Sequence, residues 1–269
     1  MSTPILDLPV VDLSCWLEGA SSRSSPACAA ACSALAASLL STGLCIVRDP
    51  RVTEAHNDAF LSMLEAYFEQ PEPSLHADVR ADLFYQVGRT PSGVELPRNH
   101  CARFKTAALG DAPLTPCPPE KDAKQRFFWR VGGAPPADTA FPQLNAAPVV
   151  PAGFPNWAAT MDAWGLGLLG AAEACAGMLA LGLGLPEEAL TSMMVGAPHL
   201  LAPTASDLRG PHGALGSVLA GVHYDLNAIS MHGRSRFPGL YVWTRDGARR
   251  AVAVPPGCLL LQAGKQLEQ

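Results

Sequence analysis

Apolar residues near the N-terminus recur at two different periods. Leu8-Pro9-Val10-Val11-Asp12-Leu13 alternates enough for a short strand, whereas Ser25 to Ser41 carries apolar residues at helical spacing up to the breaker Thr42-Gly43. Leu44-Cys45-Ile46-Val47 then reads as a buried strand. A second helix is predicted from about Thr53 to Glu69, with Thr53 as its N-cap and Ala59, Phe60, Met63, Leu64, Tyr67 and Phe68 on its apolar face. Pro71 and Pro73 end it.

The pattern breaks from Pro91 to Pro155, which is dense in proline, glycine and short polar clusters around one aromatic knot, Phe127-Phe128-Trp129-Arg130-Val131-Gly132. This predicts a long irregular connection over the core, of the kind that often lines a site. A helix over Trp157 to Leu181 follows, closed by Gly182-Leu183-Gly184-Leu185, and Pro186-Glu187-Glu188 suits the first turn of another. After Ser192 short apolar runs alternate with Gly/Pro turns, as in an antiparallel β region: Val218 to Met231, Gly239 to Thr244, Ala251 to Val254 and Cys258 to Gln262. Helices first and strands last predict an α+β fold, a helical N-terminal part plus a double-stranded β-helix (jelly roll) core with its last strands missing. Residues 1–155 would form the helical module and irregular connection and 156–269 the partial jelly roll, together one integrated domain.

The apolar run from Met161 to Leu185 is long enough to span a bilayer, but Glu173 near its centre would cost about 2.5–3.5 kcal/mol there. A buried core helix is the better reading, and no membrane partner is expected. At 269 residues and 28.2 kDa the chain can bury a sizeable core. With 16% charged residues and a net charge of -5 it has no basic surface for phosphates, so no nucleic-acid partner is expected. Eight scattered cysteines without a Cys-x-x-Cys pair suit reduced thiols, and Met1 to Leu13 lacks the pattern of a secretory signal; a cytoplasmic location is expected.

The candidate chemistry sits in Gly221-Val222-His223-Tyr224-Asp225-Leu226-Asn227. On a strand, His223 and Asp225 would project from one face, so that an imidazole nitrogen and a carboxylate oxygen reach one divalent ion. They read as the first two ligands of a 2-His-1-carboxylate iron site, which leaves coordination positions open for cosubstrate and oxygen. Asn227, two residues on, is a candidate to support the ligands or face the substrate. A second His-x-Asp, His76-Ala77-Asp78, falls in a charged segment and reads as a solvated surface pair. A third ligand is not evident before Gln269: His232 is an odd number of residues from His223 and would face the other way on a continuous strand, while His199 and His212 fall on loops. Arg234 and Arg236 read as soluble surface.

The order His223-Tyr224-Asp225, Pro238-Gly239-Leu240-Tyr241-Val242-Trp243, Pro255-Pro256-Gly257-Cys258-Leu259-Leu260-Leu261-Gln262 and Gly264-Lys265-Gln266-Leu267-Glu268 resembles the isopenicillin N synthase-like family of Fe(II)- and 2-oxoglutarate-dependent oxygenases. Pro9-Val10-Val11-Asp12-Leu13 and Ser41-Thr42-Gly43-Leu44-Cys45-Ile46-Val47 look like that family's opening module. The resemblance implies Fe(II) on His223 and Asp225, 2-oxoglutarate as cosubstrate, molecular oxygen, and oxidation of a small-molecule C–H bond coupled to succinate release. The family's distal histidine and its Arg-x-Ser pair for 2-oxoglutarate would fall past Gln269, and His199-Leu200-Leu201-Ala202-Pro203-Thr204 stands where its tyrosine motif is expected. The chain therefore reads as C-terminally truncated, with Cys258 to Gln262 as an uncovered edge and poor solubility expected. An inactive relative that binds or regulates is the alternative, and a cupin-like binding module is a third reading that leaves the helical N-terminal part unexplained.

Overall fold

The computed structural model describes residues 3–102, 115–132 and 145–268. Its long helices are α1 (Pro26–Thr42), α2 (Glu54–Phe68) and α3 (Trp157–Gly182). Ser25 opens α1 by accepting from the Cys28 amide at 3.2 Å, with Pro26 in the first turn. Thr53 caps α2 as its sequence predicts, accepting from the His56 amide at 3.3 Å, and the His56 ring returns the contact to the Thr53 amide. α3 has the length and composition of a membrane span, yet Trp157, Met161, Trp164, Leu168, Cys175 and Met178 are all buried in the core while Glu173 faces out. It is the helix around which the protein packs.

The strands are β1 (Val10–Asp12), β2 (Leu44–Arg48), β3 (Gly88–Thr90), β4 (Gln125–Arg130), β5 (Leu200–Leu201), β6 (Thr204–Ala205), β7 (Ile229–His232), β8 (Tyr241–Trp243), β9 (Arg249–Ala251) and β10 (Leu259–Ala263). Among the described residues they form three sheets: β1-β2-β10-β7, β3-β4-β5 with β6 also on β4, and β8-β9. The fold is mixed helix and sheet, and these separate sheets do not by themselves trace a full double-stranded β-helix.

Cys258 to Gln262 is not the uncovered edge that the sequence suggests. β10 is an interior strand, pairing antiparallel to β2 with Leu260 opposite Ile46 and antiparallel to β7 with Leu260 opposite His232. The N-terminal strand β2 supplies the cover, a long-range pairing that no local pattern reveals. Leu259 and Leu261 turn into the main core with Cys45 and Val47, and Leu260 turns to the other face with Leu44, Ile46, Val252 and Cys258. Burial on both faces explains the continuous apolar run.

Three further expectations change. The aromatic knot is the strand β4, with Phe127 and Trp129 at alternate positions buried and Phe127 edge-on to Tyr67 and Trp157; its period of two was hidden among four consecutive bulky residues. The rest of the predicted connection lies in part outside the described residues. The surface pair at 76 and 78 is half wrong: His76 is exposed, but Asp78 is buried and accepts from the Tyr67 hydroxyl at 3.0 Å. Burial raises its carboxyl above the usual range, opposed by the Tyr67 bond and by Arg80 and Arg89. Finally, Cys101 and Cys117 form a disulfide, so not all thiols are reduced; the spacing gave no framework because proximity is tertiary.

Candidate metal centre

His223 and Asp225 do not lie on a strand. They sit in the irregular segment that leads into β7, and main-chain contacts rather than a pleat bring them together. The Gly221 amide donates to Asp122 Oδ1 at 2.7 Å and the Val222 amide to Thr115 Oγ1 at 2.8 Å. On the far side, the amides of Gly264, Lys265 and Gln266 donate to the carbonyls of Ala228, Asp225 and Asn227 at 2.8, 2.8 and 3.1 Å. Glycine is required at 264, since a Cβ there would lie 2.0 Å from the Asn227 carbonyl oxygen. The segment is thus clamped between the 115–122 region and the end of β10.

The clamp leaves two donor atoms facing each other. His223 Nδ1 lies 2.7 Å from the Gly221 carbonyl, which fixes the proton on Nδ1 and leaves the lone pair on Nε2. Asp225 Oδ2 accepts from the Ser230 hydroxyl and from Gln262 Nε2 at 3.2 Å, leaving Oδ1 without a hydrogen bond among the described residues. Nε2 and Oδ1 are 3.6 Å apart, beyond a hydrogen bond. Metal bonds of about 2.0–2.2 Å let one ion bridge such a gap. The His223 side chain is 46% and the Asp225 side chain 22% exposed, so the pair opens to incoming ligands. Asn227 Nδ2 donates to Ser230 Oγ at 2.9 Å, one bond behind Asp225.

His232 does not face away, because the chain from His223 to β7 is not a continuous strand and the parity argument lapses. It shares a face of β7 with Ser230, and its Nε2 is shut off from solvent without a hydrogen-bond partner among the described residues. Burial lowers its basicity; the Asp225 charge and the Gln262 carboxamide oppose this and His223 adds to it, so the ring lies within electrostatic reach of both members of the pair. The other candidates are elsewhere: the His199 ring meets the Met194 carbonyl at 3.0 Å, and His212 is in the short turn Pro211–Gly213. Arg234 and Arg236 are not idle surface, since they pair with Glu54, Asp58 and Glu65 of α2. Among the described residues no three His, Cys, Asp or Glu side chains converge to hold an ion. A cavity of about 260 Å³ lined by Met63, Phe154, Trp157 and Thr160 shares no residue with the pair.

Ser230 and Gln262 escaped the sequence reading. Gln262 carried a signal: it is the one polar side chain in Leu259–Ala263, and a polar group on a buried strand needs a partner.

No protein-family model and no curated protein matches this chain. Solved structures do. A Caulobacter crescentus protein described as a candidate 2OG-Fe(II) oxygenase family member superimposes with a TM-score of 0.73 at 22% identity, covering 97% of this chain and 75% of that one. A Neurospora crassa protein solved with alpha-KG and thymine gives 0.69 at 16% identity, covering 97% and 74%. JOX2, solved with 2OG, Fe and JA, gives 0.63 at 16% identity, covering 99% and 67%. The chain therefore has the fold of the 2OG-Fe(II) oxygenase structures.

Proposed function

We propose that this protein is a non-haem Fe(II)- and 2-oxoglutarate-dependent oxygenase that oxidises a small molecule. The observation that carries the reading is the pairing of His223 Nε2 with Asp225 Oδ1 at 3.6 Å, each left free by hydrogen bonds to its other polar atom. Imidazole and carboxylate are the donor set of non-haem iron oxygenases.

His223 and Asp225 would hold the ion. Bound Fe(II) with 2-oxoglutarate supplies oxidation of an unactivated C–H bond by molecular oxygen, with succinate and carbon dioxide released. The Gly221 carbonyl holds the proton on Nδ1 of His223, so that Nε2 is ready without reorganisation. Ser230 and Gln262 hold the Asp225 carboxylate in one rotamer and reduce its need for water. We read the β2-β10-β7 sheet as one wall of a double-stranded β-helix, a reading supported by the superpositions. The thymine and JA in two of the matched structures support a small-molecule substrate.

The test is Fe(II)-, oxygen- and protein-dependent conversion of 2-oxoglutarate to succinate, with H223A and D225A as controls. Succinate formation lost in both variants is the expected result. A wild-type protein that binds the metal but forms no succinate under any substrate would leave a binding role instead.

A further inference from the structure

The segment that carries His223 and Asp225 is gripped by two stretches of chain, 93–101 and 115–122, which the Cys101–Cys117 disulfide joins. Main-chain bonds join them as well: the Asp122 amide donates to the Glu95 carbonyl and the Gly93 amide to the Asp122 carbonyl, both at 2.9 Å. From the first stretch, Pro97 packs so closely on Gly221 that a Cβ at 221 would lie 2.8 Å from the Pro97 Cγ. The His100 ring meets the Tyr224 ring edge-on, with centroids 5.2 Å apart. From the second, Thr115 Oγ1 accepts from the Val222 amide at 2.8 Å. These contacts fall on both sequence neighbours of His223.

The Thr115 contact reaches the metal pair through a single peptide group. The N–H of the peptide between Gly221 and Val222 donates to Thr115, and the C=O of that same peptide accepts from His223 Nδ1 at 2.7 Å. Hydrogen bonds in series polarise one another, so Thr115 both fixes the peptide plane and strengthens the bond that sets the imidazole ring. Thr115 stands two residues from Cys117, a reach of at most about 7 Å. The disulfide therefore limits how far the Thr115 hydroxyl can leave the Val222 amide.

This bond is open to reagents where the other cysteines are not. Cys117 is exposed and Cys101 half-buried, whereas Cys28, Cys32, Cys45, Cys175 and Cys258 are buried. The sixth free thiol, Cys15, is partly exposed, but burial pushes it up to about 11, so it stays protonated at neutral pH. Exposed disulfides are the ones that exchange with thiols in solution.

We propose that Cys101–Cys117 is a reversible redox modification site that controls metal binding at His223 and Asp225 by holding Thr115 against the Val222 amide. This rests on the metal centre proposed above. The reductant is a dithiol. One of its thiolates attacks a sulfur of the disulfide, and its second thiol then displaces the protein from the mixed disulfide. Two electrons and two protons pass to Cys101 and Cys117, which become thiols, while the reagent becomes a cyclic disulfide. Thr115 is then released, and the peptide that sets the His223 ring loses its anchor.

The experiment measures Mn(II) affinity by anaerobic calorimetry in three samples: the oxidised protein, the same protein reduced with dithiothreitol and desalted, and that sample reoxidised with glutathione disulfide. Reduction is expected to weaken Mn(II) binding about ten-fold, as for loss of a group that orients a metal ligand, and reoxidation to restore it. The double variant C101S/C117S should bind like the reduced protein and ignore dithiothreitol. T115V, with its disulfide intact, should show the same weakening, and its reduction should add little because the tie to Val222 is already cut. Equal affinity in oxidised and reduced wild-type protein, or a full reduction effect in T115V, would overturn the proposal and leave the metal centre standing. Weakening accompanied by loss of the far-ultraviolet circular dichroism signal would also overturn it, since the disulfide would then hold the fold at large. Absence of Mn(II) binding in both redox states would overturn the metal centre, and this proposal with it.

Discussion

Gln262, in the middle of the chain's main sheet, donates from Nε2 to Asp225 Oδ2 at 3.2 Å across 37 residues of sequence. The contact ties the candidate metal ligand to β10, the strand that the N-terminal β2 covers, so the site depends on both ends of the chain.

Loss of either Asp225 partner is therefore expected to loosen the metal without unfolding the protein. S230A and Q262L should each weaken Mn(II) binding by about ten- to a hundred-fold, the usual range for groups that orient metal ligands. N227A, one bond further back, should have a smaller effect. Titration of each variant with Mn(II), alongside its circular dichroism spectrum, separates the two contributions.

Tyr67 and Asp78 give a pH-dependent prediction. The Tyr67 hydroxyl donates to a buried carboxylate, and Y67F should cost about 1–3 kcal/mol at pH 7 by leaving that acceptor unmet. Because burial raises the folded-state pKa of Asp78 above its unfolded value, its contribution is most favourable below the unfolded pKa and is lost as pH rises through the folded one. Removing the Tyr67 bond raises the folded pKa further, so the penalty of Y67F should shrink as pH falls through the carboxylate range. Urea unfolding of Y67F, D78N and the double variant between pH 4 and 7 checks this; a penalty that grows toward pH 4 would contradict it.

The link between α2 and the chain after β7 should depend on its buried member. Asn57 is buried and its Nδ2 donates to the Arg234 carbonyl at 2.9 Å, so N57A should cost about 1–3 kcal/mol. Arg236 reaches Glu65 at 2.7 Å and Asp58 at 3.2 Å through half-exposed side chains, so R236A should cost no more than about 1 kcal/mol, and less at high salt. Denaturant unfolding at two ionic strengths distinguishes them.

The disulfide predicts a thiol count. Of the eight cysteines, Cys101 and Cys117 are joined and the other six are free. Protein unfolded without reductant should show six reactive thiols, rising to eight after reduction. Eight before reduction would restore the expectation of a fully reduced chain.

Helical periods and the Thr53 cap were legible in the sequence because they are local: Thr53 and the apolar face of α2 each act within a few residues. Strand partners were not, because the same run Leu259-Leu260-Leu261 reads as an exposed edge or an interior strand depending on where residues 44–48 go. His223 and Asp225 were singled out as a candidate pair from residue type and spacing, and the structure brings them together in a loop clamped through Thr115, Asp122 and Lys265 rather than on the strand invoked for them. That mistake also misdirected His232, since a parity rule applies only to an unbroken strand. Asp78 was misjudged because the groups that act on it, the Tyr67 hydroxyl and the Arg89 charge, come from α2 and β3 rather than from its own segment.

The central claim is that His223 and Asp225 bind one divalent ion. Anaerobic Fe(II) titration of the wild-type protein, H223A and D225A measures this directly. The account predicts one ion per wild-type chain and loss of that site in both variants; Fe(II) binding that persists unchanged in D225A would contradict it.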